Sequence, residues 1–434
     1  MPVRRGSSKT DMSLRFRRGI LLGIGLTLSA GFLACGSAGD GLPPVSADPV
    51  PAADAGRPAV EDAASASDAG PSQDAAPPTS DAGIDPSGPH LLAVGSLHSC
   101  AVRPGGTVKC WGESKSGQLG PAGNGSPATT PLDVGLTGVV EVAAGNAHSC
   151  ARLANGHVKC WGEGIGGQLG DGLKANSKTP VEVSGLTDAV SLTSDWAHTC
   201  ALRANGHVTC WGGGGRIGDG TSNAMNTPSE PPGITNVTSV AAGWGHTCIL
   251  VGGAGKCWGT YNAWGQLGDG DTKDRLSPVD VVGLAGATSI VSGSYHVCAL
   301  LADRTMKCWG NAQSGQIGTG AQGDAPHPTA EAVPGLGDVV QIGAKGGSTC
   351  ALKSTGEVYC WGSLPIGDGT ANTKKSPTLV TALGQLTVEL GTGDNHHCMR
   401  LSTGEIKCWG NNTYRQLGDG TTDPRNSPVT VQGL

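Results

Sequence analysis

Fourteen of the fifteen cysteines in this 434-residue chain fall into seven pairs, and the second member of each pair opens a Cys-Trp-Gly triplet. The pairs are Cys100 with Cys110, Cys150 with Cys160, Cys200 with Cys210, Cys248 with Cys257, Cys298 with Cys308, Cys350 with Cys360 and Cys398 with Cys408; Cys35 alone is left over. Two thiols at this spacing can oxidise to a short-loop disulfide. A histidine stands two positions before the first cysteine in six copies (His98, His148, His198, His246, His296 and His396), and Ser348 replaces it in the sixth copy. Gly-Asp-Gly recurs at Asp171, Asp219, Asp269, Asp368 and Asp419. The available chemistries are therefore thiol oxidation, imidazole ligation of a metal and carboxylate binding of calcium.

The elements that carry these residues argue for the first chemistry and against the other two. Cys-Trp-Gly cysteines lie 50, 50, 47, 51, 52 and 48 residues apart, so one unit is copied seven times. Within the second copy, Val139 to Val142 and Val181 to Val183 read as strands, and Cys150 to Leu153 and His157 to Trp161 flank a three-residue turn, Ala154-Asn155-Gly156. That turn sets Cys150 opposite Cys160. In the fourth copy the cysteines are nine apart and the turn shrinks to Gly252-Gly253, which keeps Cys248 opposite Cys257. A cross-strand disulfide in every hairpin follows, each constraining the unfolded chain by roughly 3 kcal/mol. Close Cys-x-x-Cys clusters of the zinc-binding kind are missing. Four short strands repeated seven times predict an all-β, seven-bladed β-propeller with four antiparallel strands per blade.

In such a ring equivalent histidines sit on different blades, too far apart to share one ion, so they are expected to be buried and bonded to backbone. The window from Asp269 misses the calcium-loop pattern at its sixth and twelfth positions, so the Gly-Asp-Gly carboxylates are expected to be turn residues. No metal, cofactor or catalytic residue is assigned, and the chain is not expected to be an enzyme. The seven tryptophans (Trp111, Trp161, Trp211, Trp258, Trp309, Trp361, Trp409) recur at one position and are expected to pack blades together.

The repeat GNAHSCARLANGHVKCWGEGIGGQLGDG resembles the regulator-of-chromosome-condensation family, whose pattern is Gly-x-x-His-Thr, a hairpin, Trp-Gly and then Gly-Gln-Leu-Gly. The resemblance runs over residues 91 to 434 in all seven copies. It implies a propeller that binds proteins through one face, with guanine-nucleotide exchange on a small GTPase as the namesake's activity. The cysteine pairs depart from the nuclear pattern and mark an exported bacterial branch. Strand-like segments at both ends, Leu91 to Val94 and Pro428 to Val431, lead us to expect that the last strand joins the first blade.

The N-terminus reads as an export signal over residues 1–34: Arg4, Arg5, Arg15, Arg17 and Arg18, then a mostly apolar run from Ile20 to Ala34. Phe32-Leu33-Ala34-Cys35-Gly36 resembles the lipobox of bacterial lipoproteins, which implies lipidation of Cys35, palmitate included. Residues 36–89 hold nine acidic residues and one basic, Arg57, and no aromatic, so residues 35–89 are read as a lipidated cysteine and a disordered linker. Residues 90–434, the propeller, carry 22 basic and 25 acidic groups, a net of −3 that excludes a nucleic-acid footprint. The expected place is the bacterial cell envelope, lipid-anchored, with membrane contact through the lipid alone and the propeller monomeric.

Residues that differ between copies are the candidates for function. Two positions before each histidine stand Ser96, Asn146, Trp196, Trp244, Ser294, Gly346 and Asp394, and Tyr295 follows Ser294. Trp196, Trp244 and Tyr295 are expected to anchor a protein partner at the envelope, with Tyr261 and Trp264 as a second, weaker patch. A carbohydrate-binding propeller is the alternative reading, because aromatics also stack on sugars.

Overall fold

The computed structural model describes residues 90–363 and 365–434. The expected export signal, Cys35 and the expected linker to residue 89 lie outside the described residues. Among the described residues, twenty-eight strands form seven four-stranded antiparallel sheets, each built from four strands consecutive in sequence. The second blade is typical, with strands Val139–Ala144, His148–Leu153, Val158–Gly162 and Ser177–Glu182 from the axis outwards. Its innermost strand is almost wholly buried, whereas the outermost is half-exposed. In six blades that outermost strand carries a proline at one position: Pro131, Pro180, Pro228, Pro278, Pro377 and Pro428. Proline lacks the N–H a ladder needs, so it is tolerated only at a sheet edge, and there it blocks further pairing. Among the described residues no helix is long and apolar enough to cross a membrane.

All seven cysteine pairs are disulfides joining the second and third strands, with α-carbons 4.0 to 4.1 Å apart. Cys100 bonds Cys110 in the first blade, Cys150 bonds Cys160 in the second and Cys200 bonds Cys210 in the third. The fourth to seventh blades pair Cys248 with Cys257, Cys298 with Cys308, Cys350 with Cys360 and Cys398 with Cys408. All fourteen cysteines are fully buried, so the bridges lie inside the blade stack and none is offered to a partner. The fourth blade keeps register through its shorter turn: Val251 faces Ala254 and Cys248 faces Cys257. Gly252 and Gly253 both adopt positive φ (59° and 78°), the conformation a two-residue hairpin turn demands.

The C-terminal strand does not join the first blade. Arg425–Thr430 pairs with Ile406–Gly410 of its own blade, and the first blade is complete without it. With every blade contiguous, the ring closes between blades seven and one by side-chain joints. Glu389 accepts the N–H groups of Leu91 (2.7 Å) and Leu92 (3.0 Å), and Trp111 Nε1 donates to the Gln416 carbonyl at 2.9 Å. Leu92, Val94 and Trp111 pack with Leu417, Ile406 and Val431 in one apolar cluster across that seam. The expectation failed because strand-like sequence at both ends says nothing about which sheet each end enters.

Innermost strands from all seven blades line an axial cavity of about 510 Å³. Its lining includes one aliphatic residue from each blade, Leu92, Val142, Leu192, Val240, Ile290, Ile342 and Leu390.

Candidate partner-binding face

Five of the six repeated histidines bond across the joint between blades, and His246 is the exception. His98 Nε2 lies 2.8 Å from Ser149 Oγ of the next blade, and the same contact joins His148 to Thr199, His198 to Thr247, His296 to Thr349 and His396 to Ser99. Ser149, Thr247 and Thr349 in turn donate to the carbonyls of Gln118, Arg216 and Gln316. A hydroxyl has one proton to give, so in those joints the imidazole donates from Nε2. The backbone partner expected for these histidines is therefore corrected to a side-chain hydroxyl. Tryptophan indoles from the next blade reach the same carbonyls, as Trp161 to Gln118 (2.9 Å), Trp258 to Arg216 (2.8 Å) and Trp361 to Gln316 (2.9 Å). Hydroxyl, imidazole and indole thus converge on one joint.

Burial keeps these imidazoles neutral. The pKa falls to about 3 for His98, His148, His246 and His296, and to about 4 for His397. Among the described residues no three His, Cys, Asp or Glu side chains gather as a metal site. In the Gly-Asp-Gly loops the carboxylates accept N–H groups two residues on, at Leu173, Thr221, Asp271, Thr370 and Thr421, which makes them turn residues.

Because strands alternate in direction, the turns between first and second strands and the loops between third and fourth emerge on one face. There blades three to five bring Trp196, Trp244 and Tyr295 together. Trp244 is the hub, with ring centroids 5.3 Å from Trp196, 5.1 Å from Tyr261 and 5.3 Å from Tyr295, all tilted. Tilted pairs at this distance are the favourable geometry for aromatic rings. Trp196 and Tyr261 remain 36% and 56% exposed, so the cluster is open to solvent.

Two sequence assignments change here. Tyr261 belongs to this cluster and not to a separate patch. Trp264 stands apart on the short helical turn Asn262–Trp264 and stacks on none of the four. Tyr261 precedes that turn in the left-handed conformation (φ 64°), so it does not share Trp264's helical face.

Arg216 was missed. It occupies the Gln position of the Gly-Gln-Leu-Gly motif in blade three and donates from Nε to the Trp244 carbonyl at 3.0 Å. Burial lowers its pKa, and among the described residues no carboxylate pairs with it. Asp195, just before Trp196, is buried and its carboxyl is pushed up to about 7 by desolvation, against the pull of Lys345. The signal for both was the same as for the tryptophans, a departure from the other copies.

The Regulator of chromosome condensation (RCC1) repeat matches residues 90–118, 139–168, 287–316, 339–363 and 388–416 in one version, and 155–202, 257–300 and 403–434 in another. Together they cover just over half of the chain. The chain belongs to the RCC1-repeat family. RCC1-type propellers are protein-interaction scaffolds. Human and mouse E3 ubiquitin-protein ligase HERC2 match at 30% and 31% identity over 137 residues, 30% of this chain, and the chain spans only 3% of the length of those relatives. Among solved structures, Prp20p from Saccharomyces cerevisiae superposes with a TM-score of 0.67 at 23% identity, covering 79% of this chain and 88% of Prp20p. Human WBSCR16 also gives 0.67, at 21% identity over 74% of this chain and 93% of its own. At these identities both likenesses concern the fold.

Proposed function

We propose that this RCC1-type propeller is an envelope-anchored protein-binding scaffold that docks its partner on the Trp196–Trp244–Tyr261–Tyr295 face. The observation that carries this reading is the hub at Trp244: one ring stacked on three others, all from positions that vary among otherwise regular copies. Residues required in every blade serve the ring, whereas an open aromatic cluster confined to blades three to five marks one asymmetric surface. Large rings with few rotatable bonds are the usual anchors of protein interfaces. Arg216 supplies a half-buried cation at the edge of the patch. Cys35 would carry the lipid, and residues 36–89 would join it to the propeller. Sugar-binding propellers tend to repeat a site in each blade, which disfavours the lectin alternative.

Crosslinking capture from the native bacterial envelope tests the reading. Wild-type protein is expected to recover a discrete partner that Trp196→Ala/Trp244→Ala loses while melting normally. Equal recovery by both would show that the partner docks elsewhere. Broad signal on a glycan array, lost in the same variant, would turn the assignment to carbohydrate.

A further inference from the structure

Five copies place glycine at the head of the Gly-x-x-His turn: Gly95, Gly145, Gly243, Gly293 and Gly393. A β-carbon at Gly145, Gly243 or Gly293 would collide with the imidazole three residues on. The other two copies carry Asp195 and Lys345, opposite charges, and the fold brings these two together across the axial cavity. Lys345 Nζ lies 3.8 Å from Asp195 Oδ1 and donates to the carbonyls of Ala144 (2.7 Å) and Ser194 (2.9 Å). One side chain from blade six thus ties blades two and three.

Local sequence accommodates both exceptions. In blade six the crowding histidine is replaced by Ser348, and the imidazole of that joint comes instead from His397 of blade seven. In both blades the innermost strand runs to the charged residue, Ala189–Asp195 and Val339–Lys345, leaving a two-residue turn. The first turn residue takes a positive φ, 55° at Gly346 and 30° at Trp196. Glycine adopts this freely, but a tryptophan there is strained by its β-carbon. The Trp196 N–H donates to Asp195 Oδ1 at 2.6 Å. Strain at an exposed aromatic, held by a buried ion pair, calls for a role beyond ring stability.

We propose that Asp195 and Lys345 are positioning residues of the aromatic face: their cross-channel pair holds the strained turn that sets Trp196 against Trp244. This rests on the docking role proposed for that face, yet its test needs no partner. Two indoles at 5.3 Å with planes at 60° should couple as excitons in far-ultraviolet circular dichroism. The difference between wild type and Trp196→Phe isolates that signal. At pH 8, where the Asp195 carboxyl is ionised, Asp195→Asn/Lys345→Met removes both charges and is expected to lose most of it, while Lys345→Arg, which keeps the cation, retains it. Should the double variant lack a cooperative melt, Asp195→Gly restores the turn of the other copies and is expected to lose the couplet too. A couplet intact in the double variant or in Asp195→Gly, or lost in Lys345→Arg, overturns the proposal. Failed partner capture with these spectral losses would remove the docking role and leave the positioning role standing.

Discussion

Ser348 Oγ lies 3.2 Å from His397 Nε2, which inverts the joint found elsewhere in the ring: blade six supplies the hydroxyl and blade seven the imidazole. The joint survives exchange of its two halves because both lie buried at the same interface. It does not survive loss of one half at no cost, and the junction between blades four and five shows this. There Val297 occupies the position of the hydroxyl residue, and both ring nitrogens of His246 are buried without a partner.

Val297→Thr should therefore stabilise the protein. Threonine is nearly isosteric with valine and would accept from His246 Nε2 while donating to the Gln266 carbonyl, which already receives the Trp309 indole. The gain expected is about 1 kcal/mol, the net worth of a buried hydrogen bond. Chemical denaturation measures it, and an unchanged or lowered midpoint would show that the joint is indifferent to the hydroxyl.

Acid should unfold the ring. Seven buried histidines have folded pKa values pushed below the ordinary 6.5 by desolvation. Below about 6.5 the unfolded chain takes up protons that the folded chain refuses, so stability is full above that pH and falls as pH drops towards 3. Each histidine contributes a slope of up to ~1.4 kcal/mol per pH unit in that window. Asp195 acts in the opposite sense: folded, it holds its proton between about 4 and about 7, so its contribution declines as pH rises. One carboxyl against seven imidazoles leaves the protein acid-labile. Urea midpoints at pH 7 and pH 5 should differ, and less so in His98→Gln; a flat profile would contradict the neutral-histidine joint.

What could be read from the residues alone was the part that repeats. Cysteine spacing gave hairpin register because a change in turn length at Gly252-Gly253 left Cys248 facing Cys257. Trp196, Trp244 and Tyr295 stood out as exceptions and do converge. The partners of the histidines stayed hidden because Ser149 or Thr199 lies about fifty residues from its imidazole, on a blade whose offset only the ring fixes. Asp195 and Lys345 were visible as replaced glycines, but nothing local states that blades three and six face each other across the axis. Tyr261 was grouped with Trp264 by proximity in sequence, and the left-handed backbone at Tyr261 turns the two apart.

Ring closure should depend on Glu389. It joins blade seven to the N–H groups of Leu91 and Leu92 and pairs with Arg400 at 2.7 Å. Glu141 makes the equivalent joint from blade two, through the Leu192 N–H (3.0 Å) and Arg152 (2.6 Å). Glu389→Ala and Glu141→Ala are each expected to cost about 2 kcal/mol, the range for hydrogen bonds to a charged group. A much smaller loss for Glu389→Ala, measured by thermal unfolding, would mean that the first and last blades are not joined as the others are.

Palmitate labelling of cells should be abolished by Cys35→Ala, with the propeller recovered in the soluble fraction. Equal labelling of both proteins would place any lipid at another residue.

Because each blade is one uninterrupted run of four strands, the seam between the first and last blades shares no strand, like the six others. The order in which blades are numbered is therefore an accident of where the chain is cut. A circular permutant with new ends between Leu284 and Ala287, the old ones bridged by a short linker, should rebuild the same ring with the aromatic face intact. Engineers could then move the point of attachment around the rim and choose how the face is presented, a freedom that a propeller sealed by a shared strand would lack.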